Sequence, residues 1–166
     1  WVAGRDMTPD PESAPASDSP LDIDLILVPV DGSEESLSAI DYALAIADRY
    51  DAAVHCVYVF GEEIARAIET GTVDEEAVSA RSGEFTEVAR ELAAEEEVEL
   101  STSIAYGFST QVKTRHPGSV VLDTAEDLSA DFLVVPREPL SGDPGEVLEK
   151  AAEYVPLYAS QPVLSV

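Results

Sequence analysis

Positive charge is scarce in this chain. Nine Lys and Arg stand against 34 Asp and Glu, for a formal net charge of −25, and only two of the nine are Lys. Asparagine is absent altogether. The first 20 residues, with Arg5 against four acids, hold −3 of that charge, so −22 sits on the remaining 146. A surface of this sign repels nucleic acid and anionic lipid, and neither is expected as a partner. It suits a basic protein partner, or solubility in concentrated salt, where counterions screen self-repulsion within about 3 Å at 1 M. The poverty in Lys and Asn favours the second, a salt-adapted surface like that of halophile proteins.

Cysteine is reduced to one residue, Cys56, which excludes an internal disulfide. It lies in an apolar run, where a buried, inert thiol and a reducing cytoplasm are expected. No apolar run approaches the ~20 residues of a membrane span, so no direct membrane insertion is expected. The opening "WVAGRDMTPD" has no apolar core of a secretory signal. It begins at Trp1 rather than Met, which fits a trimmed chain or a piece of a longer protein.

Chemistry-bearing patterns are also few. The two histidines, His55 and His116, lack metal-ligand spacing and have no Cys pair beside them, so no metal is expected. No G-x-G-x-x-G, Walker loop or G-x-S-x-G elbow occurs. "EEE" at Glu95–Glu97 reads as a solvated helix end. No catalytic residue is nominated, and an enzyme is not expected.

Apolar residues make up 45% of the chain, enough for one domain of ordinary size with its own core. Residues 1–20, rich in Pro, Ser, Asp and Ala, read as a disordered tail or linker, and 21–166 as the folded domain. "LILVPV" (25–30) is continuously apolar, as a strand covered on both faces must be. "DGS" then turns the chain, with Ser33 as N-cap and Glu34 and Glu35 at the positive end of a helix dipole. Leu37, Ile40, Leu44 and Ala47 fall on one helical face. "AAVHCVYVF" ending at Phe60 completes a βαβ unit. A short helix is expected over 62–70 and a longer one over 74–96, burying Phe85, Val88 and Leu92.

"VELSTSIAY" alternates, with Val98, Leu100, Thr102, Ile104 and Tyr106 on one side. Period two marks a strand with a wetter face, at a sheet edge. His55, in the second strand, is expected as a packed polar residue. After the third strand, Lys113, Arg115 and His116 form a basic loop against the global charge. It reads as ordinary exposed residues or as a docking point for an anion or an acidic partner. Pro117 opens a helix burying Val121, Ala125 and Leu128. "DFLVV" and "PVLSV" are the last two strands, joined by a helix over 146–158 that Pro156 should kink or end. The alternation predicts an α/β fold, an open five-stranded parallel sheet with helices on both faces.

"ILVPVDGSEES", "GSVVLDTAEDLSADFLVV" and "PVLSV" resemble the universal stress protein family, from near Asp22 to Val166. The resemblance implies strand order 3-2-1-4-5, and many members bind ATP. Their loop after strand four reads G-x-x-G, nine residues, then G and Ser or Thr. Glycines there let backbone N–H groups approach phosphate, at a helix N-terminus. Laid ungapped on this chain, the three glycine positions fall on Pro136, Pro139 and Glu149, and the last on Lys150. Proline has no N–H to offer. A Glu149 carboxylate ~4 Å from a phosphate charge repels it by roughly 1 kcal/mol in water and about 4 at an effective dielectric of ~20.

A shifted register on Gly142 and Gly145 breaks the downstream spacing and encloses Asp143. The phosphate loop is therefore expected to be degenerate, with no cofactor bound. The adenosine half of the family cleft, Pro29, Val30, Asp31 and Ser33, keeps its pattern, although the same residues also cap a helix. The implied role is a cytoplasmic stress-response or interaction module. The alternatives are an adenine-nucleotide-binding regulatory module and an accessory domain of a larger protein such as a transporter. The resemblance also implies a homodimer through the last strand. Its uncharged edge would bury Val163, Leu164 and Val166.

Overall fold

The computed structural model describes residues 20–106, 116–137 and 146–166. All of the expected tail but Pro20, as well as Lys113, Arg115 and Pro139, lie outside the described residues. The elements are β1 (Leu25–Val30), α1 (Glu34–Tyr50), β2 (Ala53–Phe60), α2 (Glu62–Glu69), α3 (Glu75–Glu95), β3 (Leu100–Tyr106), α4 (Pro117–Asp127), β4 (Phe132–Val135), α5 (Glu146–Tyr158) and β5 (Val163–Ser165). The five strands form one sheet in the order β3-β2-β1-β4-β5, every pairing parallel. The expected fold class and strand order are both found.

β1 sits at the centre, so both its faces need apolar cover, and Ile26 through Val28 are fully buried. One face of the sheet carries Val28, Val30, Val54 and Cys56 against α1 and against Ala89 and Ala93 of α3. The other carries Leu27, Val57, Val59, Leu133 and Val135 against α4 and α5. The N-terminal end of β1 is tied to β4 by Asp131, whose Oδ2 accepts the Asp24 and Leu25 N–H groups at 2.9 and 3.1 Å.

Several expectations need correction in detail. Val88 is 42% exposed, because α3 turns Val78, Ser82 and Ala89 inward instead. Leu128 is 40% exposed, since α4 ends at Asp127 and Leu128 is only its C-cap. Pro156 sits inside α5, which ends two residues later. Within the last turn a proline forfeits only one ladder bond of the helix.

His116 is not a loose member of a basic loop. It caps α4, with Nδ1 accepting the Gly118 N–H at 3.0 Å. Its ring stacks on Tyr154 with centroids 4.4 Å apart. A Cβ on Gly118 would lie 2.6 Å from the Tyr154 side chain, so only glycine lets α4 approach α5 this closely.

His55 is the packed polar residue expected. It is 7% exposed, with Nδ1 2.7 Å from the Ser101 hydroxyl and Nε2 2.8 Å from that of Ser103. The face of β3 expected to be wetter is thus the one bonded to β2. Ile104, on the opposite face, is 48% exposed.

Candidate functional site

In an open parallel sheet, ligands sit beyond the carboxyl ends of the strands where the strand order reverses. Here that point lies between the central strand β1 and its neighbour β4, from which the order runs to opposite edges. The cleft is therefore built from the β1–α1 turn and from the chain leaving β4.

Of the four residues the resemblance implied, Pro29 and Val30 are the last two of β1 and are buried, while Asp31 and Ser33 lie in the turn to α1. Helix α1 begins because Ser33, in extended conformation, accepts the Ser36 N–H on its hydroxyl at 3.3 Å. The Asp31 Oδ1 accepts two hydrogen bonds, from the Ser33 N–H at 2.9 Å and the Ser36 hydroxyl at 2.8 Å. The Ser36 hydroxyl also accepts the Asp31 N–H at 3.0 Å. These bonds close a small ring that ties the end of β1 to the first turn of α1. Asp31 thus serves the turn first, and both described bonds to its carboxylate fall on Oδ1.

Tyr58 completes this corner from β2. It pairs in register with Val30, and its hydroxyl donates to the Asp31 carbonyl at 2.8 Å. Its ring rests on Phe60 and meets Phe85 edge-on, with centroids 4.7 and 5.9 Å away. Burial, and next the Asp31 carboxylate, push the Tyr58 phenol up, against a smaller pull from Arg81. Gly32 lies in the β1–α1 turn at φ +87°, and a Cβ there would meet the Tyr58 hydroxyl at 2.5 Å. Sequence reasoning did not single out Tyr58, Ser36 or the tight fit at Gly32. The available signal was a polar-tipped aromatic in register with the strand end, and a serine three residues after the N-cap.

Among the described residues, the β4 side of the cleft offers few donors. Pro136 follows β4 directly, is buried, and has no N–H. The next N–H, of Arg137, donates to the Val166 carbonyl at 2.6 Å, while the Val166 N–H returns to the Val135 carbonyl at 3.0 Å. Of the first two positions of the loop, one has no donor and the other has spent it on the end of the chain. Pro139 lies outside the described residues. Glu149 and Lys150 are the fourth and fifth residues of α5. Glu149 therefore lies in the turn whose N–H groups would otherwise face an anion.

Among the described residues, no three His, Cys, Asp or Glu side chains gather as metal ligands would. Cys56 is buried, and burial pushes its thiol up to about 12, the inert state expected. No helix among the described residues is long and apolar enough to cross a membrane.

The fold has known counterparts. The universal stress protein UspA from Lactobacillus plantarum is 22% identical, with a TM-score of 0.66 over 88% of this chain and 99% of that one. A universal stress protein in complex with cAMP is 21% identical, with a TM-score of 0.59 over 88% and 98%. The universal stress protein from Archaeoglobus fulgidus in complex with dAMP is 18% identical, with a TM-score of 0.60 over 87% and 98%. At these identities the likeness shows the fold. No curated protein matches the sequence. Residues 23–166 match the universal stress protein family, and the chain belongs to that family.

Proposed function

We propose that this chain is a non-enzymatic stress-response module of the cytoplasm, adapted to high salt, that works as a homodimer and does not hold ATP productively. The observation that carries the proposal is the exit of β4. A triphosphate needs converging backbone donors, and here Pro136 supplies none while the Arg137 N–H is bonded to Val166. Glu149 adds a like charge in the first turn of α5. The net charge of −25 supports the salt adaptation and disfavours an anionic ligand further.

The homodimer would pair two copies of β5, the outer strand of the sheet next to β4. Val163, Leu164 and Val166 are each half-buried, and the strand carries no charge that would guard its edge. With no charge at the edge, strand pairing about a two-fold axis is the economical way to satisfy it.

Calorimetry with ATP and ADP in molar salt with magnesium tests the central claim. The expected result is no measurable heat of binding, and a dissociation constant in the low micromolar range would overturn it. Restoration should require Pro136→Gly, Pro139→Gly, Glu149→Gly and Lys150→Ser together, since each defect removes a separate part of the cradle.

A second reading, a nucleotide-sensing module without a triphosphate site, is favoured by one observation. The β1–α1 turn is intact, and both described bonds to the Asp31 carboxylate fall on Oδ1. Two of the similar structures are complexes with the monophosphates cAMP and dAMP. Titration with cAMP and AMP separates the readings: binding of a monophosphate without ATP supports the second.

A further inference from the structure

A cavity of about 450 Å³ lies between α3 and the half of the sheet formed by β2 and β3, and it shares Val30 and Tyr58 with the corner of the cleft. The space opens to solvent past the exposed residues Gly83, Glu87, Arg90 and Ile104. It falls within the range of small-molecule sites. Its floor is Val30, Cys56 and Tyr58, with Phe85 and Ala89 from α3 and Ile104 from β3. Phe85 and Tyr58 are only half-buried, and Ile104 is 48% exposed, so three large apolar side chains stay partly wet around one space. Gly83 recesses the wall: a Cβ there would meet nothing within 4 Å.

The polar lining comes from hydroxyls, those of Ser79, Ser82 and Thr86 on α3 and Thr102 on β3. The hydroxyl protons of the inner ones are already committed. Ser82 donates to the Ser79 carbonyl at 3.0 Å, Thr86 to the Ser82 carbonyl at 2.7 Å, and Tyr58 to the Asp31 carbonyl at 2.8 Å. Each oxygen keeps lone pairs, so what these groups offer an occupant is acceptors. At the rim, the cation of Arg90 is held by Glu87 at 2.9 Å. A field of net charge −25 opposes an anion and favours a cation.

We propose that this cavity is a binding site for a small aromatic molecule carrying hydrogen-bond donors, an amine or an alcohol, whether or not the cleft at β1 and β4 holds a nucleotide. The aromatic body would cover Tyr58, Phe85 and Ile104, and its donors would meet the hydroxyl oxygens of Ser82 and Thr86.

Three indoles of one shape test this: tryptamine, tryptophol and indole-3-propionate, titrated into the ¹⁵N-labelled full chain in molar salt. Tryptamine and tryptophol should shift the amide resonances of Ser82, Thr86 and Ile104 saturably, at or below about 1 mM. The propionate should bind at least tenfold more weakly. Ser82→Leu intrudes where the aromatic body would lie, removes one acceptor and should abolish the shifts in a folded protein. Thr86→Val keeps the volume, removes one acceptor and should weaken tryptamine several-fold; it decides the matter if Ser82→Leu does not fold. The proposal is overturned if none of the probes saturates, if the shifts fall on Asp31 to Ser33 instead, if the anion binds equally well, or if both variants bind as the native chain does.

Discussion

Gly32→Ala is the most informative single change at the corner of the cleft. At φ +87° an alanine is strained by about 1–2 kcal/mol. Its Cβ would also stand 2.5 Å from the Tyr58 hydroxyl, which is the far end of the side chain and can move away. Moving it breaks the 2.8 Å bond to the Asp31 carbonyl, a further loss of about 1 kcal/mol. The expected cost is therefore about 2–3 kcal/mol. Tyr58→Phe by itself should cost about 1 kcal/mol, the same hydrogen bond. In the double variant the clash is gone and the bond can be lost only once, so the total should stay at about 2–3 kcal/mol. The two changes should thus fall short of additivity by about 1 kcal/mol. Urea unfolding of the four proteins in molar salt, followed by circular dichroism, measures the cycle; melting temperatures should fall by about 3 °C per kcal/mol. A Gly32→Ala cost under about 0.5 kcal/mol, or strict additivity with Tyr58→Phe, would refute the packing described at this corner.

Other outcomes follow from charge and burial. The melting temperature should rise strongly from low to molar salt, because the Debye length falls from about 30 Å at 0.01 M to about 3 Å at 1 M; equal values across the series would contradict salt adaptation. Burial holds His55 below its ordinary value of 6.5, so the unfolded chain takes up a proton that the folded chain refuses. That contribution is fully present above pH 6.5 and is lost as pH falls through 6.5 toward the lowered folded value. Between pH 7 and 5 the native protein should therefore lose more stability than His55→Gln, and parallel curves would exclude His55 as the source. Light scattering in molar salt should find a dimer for the native chain and a monomer for Leu164→Asp; a native monomer at tens of micromolar, or a variant that stays dimeric, rules out pairing through β5.

Much of the architecture is local information and so is legible in the order of residues. A strand covered on both faces must be apolar throughout, which is why 25–30 announces the centre of a parallel sheet and 98–106 its edge. Ser33 and Pro117 mark helix starts because caps and first turns have requirements met by nearest neighbours. The departures from the family's glycine pattern at Pro136 and Glu149 are equally local: a proline has no N–H in any fold, and a carboxylate is negative wherever it lies. Contacts between distant segments could not be read this way. Which residues of α3 and α4 turn inward depends on how each helix rolls against the sheet, and this exposed Val88 and Leu128 despite their spacing. The Tyr58 hydroxyl reaches Asp31 only because β1 and β2 pair in one register. Arg137 gives its N–H to Val166 only because β5 lies beside β4. His55 finds two serines 46 and 48 residues away across the same pairing. The cavity beneath α3 exists because small side chains of one helix face an edge strand. Volume between two elements is a property of their separation, which no single stretch of sequence encodes.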